Sequence, residues 1–394
     1  MSQKLVDRSP DLKRLRDEGF ELQVVGTHLV LKSVPYVNGN KEVKRGTLVS
    51  TLEFAQNDLK KPDEHTVSFA GERPCDKNGT PLAIIHSEER KTPATGVDVN
   101  FLFSTKPRDG KGYPDYYAKM TTYAKILMHE AQAIEAGVTA CVFPVIPTDS
   151  EDESPFNYYD TSSSRAGIDA LSPKLAMAKI AIVGLGGTGS YVLDFVAKTP
   201  VREIHLFDDD EFSQHNAFRC PGALGIEELK PEMKKVQYYS ALYSKLRNGV
   251  VPHSYRIDIA NMDELRQMQF VFLCLDSGEL KDPIMRTLED ANIPFIDVGM
   301  GLQIRDAALS GILRATTSTP RKRDHVRDNH RVSFAPALGP NDYSRNIQVA
   351  ELNAFNAALA VVKWKKLCSF YHDLTQEHHT TYVLDTGKMG REDF

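Results

Sequence analysis

Lys179-Ile-Ala-Ile-Val-Gly184-Leu-Gly186-Gly187-Thr-Gly189-Ser190 decides how the second half of this chain folds. Residues 179–183 are an apolar run of strand length, the glycines follow as G-x-G-x-x-G, and residues 190–198 continue as a helix. Gly184 permits the tight turn, Gly186 lets phosphate oxygens approach the backbone, and Gly189 lets helix and strand pack closely. The helix N-terminus then attracts the anion. Glycine spacing alone is weak evidence, but strand, glycine turn and helix in this order predict a nucleotide-binding β-α-β unit.

Working outward, residues 203–207, 249–255, 270–275 and 294–297 read as further strands that alternate with helical segments. Such alternation predicts a parallel, doubly wound α/β sheet. Residues 347–374 are Ala-rich and amphipathic, which suits a packing helix. The second strand ends in Asp208-Asp209-Asp210, about twenty residues past the glycines, where an acid can bind a ribose hydroxyl. NAD and ATP fit these features equally.

The charges downstream separate the two. Asp208, Asp210, Asn216, Arg219, Lys235 and Asp276 are more than hydride transfer has a use for. Attack of a carboxylate on an α-phosphate, by contrast, builds negative charge on the phosphoryl oxygens and on departing pyrophosphate. Arg219 and Lys235 would supply positive charge, and Asp276, just past the apolar strand 270–275, lies where open α/β sheets bind ligands and could hold magnesium. Singly, each also reads as a surface charge; the spacing raises them together.

With these residues in place, the segment 165–316 resembles the ThiF/MoeB/ubiquitin-activating-enzyme superfamily of adenylyltransferases. Gly184, Gly186, Gly187 and Gly189 look like its G-x-G-G-x-G, Asp208 and Asp210 its D-x-D, and Asn216 with Arg219 its N-x-x-R. Lys235 falls at its phosphate-binding lysine and Asp276 at its magnesium-binding aspartate. The resemblance implies a Rossmann-like domain that uses ATP and Mg2+ to adenylate the C-terminal carboxylate of a ubiquitin-like or sulfur-carrier protein. It further implies that Asp208 binds the ribose, that Asp210 lies beside the phosphates, and that Asn216, Arg219 and Lys235 hold ribose and phosphates. Arg165 is the candidate for an arginine that reaches into a partner protomer's site, which would require a homodimer.

This sequence departs from the family pattern in two ways. It has no C-x-x-C pair, so no zinc is expected, and Cys220 stands where the arginine motif usually continues with Gln. The five cysteines are scattered. Cys141 and Cys274, in apolar surroundings, read as buried and inert, whereas Cys220 follows Arg219, whose charge would lower a thiol pKa. Cys75 and Cys368 are weaker candidates. The basic run 321–331 lacks cysteine, so it offers no nucleophile for a thioester, and it reads as an exposed loop or a guide for an acidic partner. The twelve histidines form no H-x-x-x-H or H-E-x-x-H motif.

An acidic, Ser-rich stretch at 149–164 marks a boundary, giving domains 1–150 and 161–394. Before it, residues 22–25, 29–34, 66–69, 82–85 and 97–103 read as short strands, Asn78-Gly79 as a hairpin turn and 116–135 as one packed helix. The N-terminal domain is therefore a smaller mixed α+β unit. It is similar to segments fused to bacterial ThiF-like proteins, which implies partners of ubiquitin-like conjugation sets, including a conjugating-enzyme-like protein. The net charge of −5 argues against a nucleic-acid coat, and no apolar run approaches the ~20 residues of a membrane span. Residues 1–18 alternate charges with Leu and lack the apolar core of a secretory signal, so a cytoplasmic protein is expected. Two other readings remain: an NAD-dependent oxidoreductase, and a non-catalytic adaptor for a ubiquitin-like protein.

Overall fold

The computed structural model describes residues 2–55, 58–107, 110–148, 154–230, 232–276, 278–334 and 347–391. Residues 149–153 of the expected linker lie outside them. The chain divides into two units, Met1–Ile146 and Pro147–Phe394.

In the first unit, helices α1 (Ser2–Arg8) and α2 (Pro10–Asp17) precede strands β1 (Glu21–Val25), β2 (His28–Val37) and β3 (Val43–Thr51). A small hairpin, β4 (Phe54–Ala55) with β5 (Asp58–Leu59), leads to β6 (Val67–Ala70), β7 (Ile85–Ala94), β8 (Val97–Phe103) and helix α3 (Tyr116–Gln132). The six-stranded sheet runs β1-β2-β3-β6-β8-β7, antiparallel throughout. One face carries Leu29, Leu31, Leu48, Phe69 and Phe103, which bury against Tyr116, Met120, Tyr123 and Leu127 of α3. Asp115 caps that helix by accepting from the Ala118 amide at 2.6 Å. The strand expected at 82–85 is not formed. Asp76 and Gly79 make a tight turn that closes on the Cys75–Pro81 bridge, and the strand proper begins at Ile85.

The second unit opens with α4 (Thr161–Arg165), then β9 (Lys179–Val183), α5 (Gly187–Ala197), β10 (Glu203–Phe207) and two short helices, α6 (Gln214–Ala217) and α7 (Ile226–Leu229). There follow α8 (Lys235–Tyr243), β11 (Val250–His253), β12 (Phe270–Leu273), α9 (Gly278–Asp290), β13 (Phe295–Arg305) and β14 (Ala308–Ser318). Helices α10 (His325–Asp328) and α11 (Ala350–Leu367) and strands β15 (His379–Val383) and β16 (Lys388–Arg391) complete it.

The sheet order β11-β10-β9-β12-β13 is parallel, and β14, β15 and β16 extend it antiparallel. Alternate strand residues go to opposite faces. Ile180, Ile182, Phe270 and Phe272 meet α5, α8 and α11, while Ala181, Val183, Val271 and Leu273 meet α9. Both faces are covered, which is why these strands read as continuous apolar runs rather than as alternating ones. The fully buried Trp364 of α11 lies with its ring centroid 6.3 Å from Phe270 and 6.0 Å from Phe272. The chain winds outward from β9 through β10 to β11 and then returns to β12 on the other side of β9. That reversal opens a crevice at the carboxyl ends of β9 and β12.

Arg247, fully buried, closes the far end of α5. Its guanidinium donates to the carbonyls of Ala197 (3.3 Å), Thr199 (2.9 Å), Val201 and Arg202 (3.2 Å), groups that the helix end and following turn leave without partners. Replacing Arg247 with Met strands these carbonyls, so Arg247→Met is expected to cost this unit about 3 kcal/mol or more. Urea unfolding followed by circular dichroism measures the loss.

Candidate active site

The glycine loop is squeezed from three sides. Gly184, at φ +91°, donates its amide to the Phe207 carbonyl at 2.8 Å, and a Cβ there would lie 2.5 Å from the Cys274 carbonyl oxygen. A Cβ on Gly189 would stand 2.0 Å from the Gly184 carbonyl oxygen, and one on Gly187 would strike the Asn353 side chain of α11. Gly186 faces open space. The loop therefore needs glycine at 184, 187 and 189 to close, while at 186 bare backbone is presented outward at the start of α5.

On one side of this loop sits an acid-base cluster. Asp208, almost fully buried, accepts from the Leu185 amide at 2.6 Å through Oδ2 and from the Asp210 amide at 2.9 Å through Oδ1. Lys235, the first residue of α8 and equally buried, donates to Asp210 Oδ2 at 2.6 Å and lies 3.8 Å from Asp208 Oδ1. Burial pushes the Asp208 carboxyl above its ordinary range; the charge of Lys235 and the two amide hydrogen bonds oppose that. The carboxylates of Asp208, Asp209 and Asp210 converge within 4.8 Å.

Asn216 is buried and spends its Oδ1 on the Ser213 amide at 2.8 Å, capping α6. Arg219 is half-buried; its backbone carbonyl accepts from Asn353 Nδ2 at 3.4 Å, and its Nε is a buried atom without a hydrogen-bond partner. Arg165 is exposed at the end of α4.

On the other side lies a cavity of about 690 Å3, walled by Gly186, Gly187, Asp276, Lys281, Gly301 and Arg314 among others. Asp276 lies just beyond β12, after Cys274 and Leu275. The structure thus brings Gly186, Gly187 and Asp276 to one cavity and gathers Asp208, Asp210 and Lys235 on the opposite flank of the same loop. Arg165, Asn216 and Arg219 do not line the cavity.

The sequence reading missed a buried ionic group in this wall. Asp297, wholly buried on β13, takes Lys281 Nζ at 2.9 Å on one oxygen and Arg314 Nη2 at 2.5 Å on the other. Arg314 also donates to Thr316 at 2.7 Å. Asn356 of α11 donates to the Gly299 carbonyl at 3.1 Å, and its Oδ1 is buried without a partner. A signal existed: Lys281 shares a helical face with Ile284, Met285 and Leu288, and Asp297 interrupts an apolar strand. A charge on an apolar face must have a buried partner.

Two expectations are corrected. Burial pushes the Cys220 thiol up rather than down, because desolvation outweighs the charge of Arg219. Burial likewise raises Cys75 and Cys274, and pushes Cys368 up to about 11. The basic run 321–331 is not simply exposed: Arg327 pairs with Asp282 at 3.0 Å and Glu289 at 2.8 Å, Arg323 donates to the Glu289 carbonyl at 2.6 Å, and His325 and Arg331 are buried.

Comparison with known proteins bears on this arrangement. Residues 163–328 match the model of the ThiF family. The second unit carries a ThiF-family domain. Residues 10–161 match a domain of unknown function, DUF6791. No curated protein matches the chain.

Among solved structures, E. coli MccB with ATP is 18% identical over 59% of this chain and 69% of that one, with a TM-score of 0.44. The microcin C7 biosynthetic enzyme MccB in complex with N-formylated MccA is 18% identical over 59% and 70%, with a TM-score of 0.45. PaaA is 15% identical over 57% and 75%, with a TM-score of 0.44. Among the described residues, no helix is long and apolar enough to cross a membrane.

A ligand of the ThiF-family domain stabilises it by mass action, by about 2.7 kcal/mol at a hundredfold excess over Kd. ATP is expected to raise the melting temperature and NAD to leave it unchanged. Lys235→Met should abolish the ATP effect in the same thermal-shift measurement.

Proposed function

We propose that this protein adenylates the C-terminal carboxylate of a ubiquitin-like or sulfur-carrier protein. The observation that carries this reading is the division of labour around one loop. Bare backbone at Gly186 faces a cavity that also holds Asp276, while Lys235 and two acids gather on the loop's other flank. A nucleotide laid over the loop would put its ribose toward Asp208 and its phosphates toward Lys235 and Arg219. The cavity would then receive the end of a protein chain.

In the step itself, a carboxylate oxygen of the partner attacks the α-phosphorus of ATP. The bond to the bridging oxygen of pyrophosphate breaks, and acyl-adenylate and pyrophosphate result. Little covalent work falls to the protein; orientation and charge neutralisation carry the rate. Lys235 would turn from Asp210 to a phosphate oxygen, an exchange of one anion for another that leaves its charge paired. Asp276 offers a hard carboxylate oxygen suited to Mg2+, which when bound would supply further neutralisation of phosphate charge.

The chain is proposed to act as a homodimer in the cytoplasm, with Arg165 completing the partner protomer's site, and to pass its product to a conjugating-enzyme-like protein. Pyrophosphate exchange with candidate carrier proteins tests the chemistry. Asp276→Ala is expected to abolish exchange with the fold intact, and Arg219→Ala to lower it by about tenfold or more, the loss of one transition-state charge contact. Exchange unaffected by Asp276→Ala would overturn the assignment. Mixing Arg165→Ala with Asp276→Ala protein should restore part of the activity if Arg165 acts across the dimer.

A further inference from the structure

The first unit holds a buried lysine that nothing above employs. The ladder between β3 and β6 stops after the pairs Thr47↔Ala70, Leu48↔Phe69 and Val49↔Ser68. Beyond it the chain detours through the β4–β5 hairpin, and a cavity of about 270 Å3 lies beside the parted strands, lined by Thr51, Glu53, Glu64, Thr66, Ser68 and Lys119 among others. Lys119 enters from α3. It is 2% exposed, and its Nζ donates to Ser50 Oγ at 2.9 Å.

Among the described residues, no carboxylate lies within ion-pairing distance of this amine. A buried ammonium without a counter-ion is costly, so the uncharged amine is favoured. Burial indeed pulls Lys119 down to about 8, with the distant charges of Glu64 and Glu53 pulling the other way. The groups facing it are Glu53, Asp63 and Glu64 from the segment between β3 and β6, Glu89 and Lys91 from β7, and Tyr116 from its own helix, whose ring centroid is 6.0 Å away. Lys91 pairs with Glu89 at 3.0 Å. Negative charge therefore prevails around the cavity, which disfavours an anionic ligand. The volume falls just below the roughly 300 Å3 at which drug-sized ligand sites begin, so it suits a small molecule.

We propose that Lys119 is a nucleophile that captures a small uncharged aldehyde or ketone as a Schiff base. The nitrogen lone pair attacks the carbonyl carbon, the C=O π pair moves to oxygen, and water in the cavity carries a proton from nitrogen to that oxygen. A proton delivered through water from a glutamic acid lining the cavity lets the carbinolamine expel its hydroxyl as water, and the remaining N–H proton returns to that glutamate by the same path as C=N forms. Amine plus carbonyl gives imine plus water, with no oxidant or reductant consumed. Glu53 and Glu64, which line the cavity, are the carboxyl groups that exchange protons with that water.

The test uses the full chain with propanal and sodium cyanoborohydride, which reduces an imine to a stable secondary amine, followed by peptide mapping. At about pH 7.5 the free-amine fraction of Lys119 exceeds that of an exposed lysine by roughly a hundredfold. Lower intrinsic nucleophilicity offsets part of this, so labelling about tenfold faster than at exposed lysines is expected. That advantage should shrink as pH rises from about 8 to about 10, because exposed lysines then lose their protons too. Lys119→Arg should remove the adduct. Ser50→Ala, which keeps the amine and frees its hydrogen bond, should keep or speed labelling and covers the case in which Lys119→Arg fails to fold. Labelling confined to exposed lysines, with Lys119 unmodified in both the unaltered chain and Ser50→Ala, overturns the proposal.

Discussion

The second unit depends on one close approach of backbone to backbone. β9 must turn over within a few residues into α5 while β10 and β12 crowd it from either side, and the space left at Gly184 and Gly189 is smaller than a methyl group. The Cys274 carbonyl sets that limit at Gly184 and the Gly184 carbonyl sets it at Gly189, while the Gly184 amide is tied to the Phe207 carbonyl. Everything that follows is placed by it. The loop amides, the Asp208 carboxylate that receives the Leu185 amide, and the cavity bounded by Asp276 share their positions because they share one turn.

The charges around that turn are already paired among themselves. Lys235 sits between two acids, and Asp297 between two cations. Such self-neutralisation lets a polar pocket exist without the several-kcal/mol penalty of an uncompensated buried ion. It also fixes side chains in place before any ligand arrives, which is what electrostatic preorganisation requires. The two groups differ in kind. The Lys235 cluster has a partly exposed member in Asp210 and can exchange partners with solvent-borne anions, whereas Asp297 is sealed and its cations are held on it.

Much of the parallel core was legible because its physics is local. Strands 179–183 and 203–207 are short apolar runs bounded by turn residues, and the glycine spacing encodes its own geometry. The antiparallel extension β14–β16 was not legible, since Ser, Thr, Gly and charged residues interrupt those strands and leave no apolar run to find. In the first unit β3 and β7 were missed for the same reason, Lys, Arg, Glu and Thr standing where a strand reader expects apolar residues. At the site, residues with motif spacing were visible, and those that act through tertiary pairing were not. Asp297 and Arg314 lie seventeen positions apart on neighbouring strands, and only the β13–β14 register brings them together. The Cys220 thiol was misread because sequence adjacency to Arg219 shows a charge but not the burial that outweighs it.

Trp364 is the sole indole of the chain. It is sunk among Phe270 and Phe272 on the helix that also supplies Asn353 to the glycine loop and Asn356 to the cavity wall. Tryptophan emission from the whole protein therefore arises at a single point in the second unit. Its colour and quenching are a built-in optical gauge of how firmly α11 is seated, reporting on the ground beneath the glycine loop without a dye or a label.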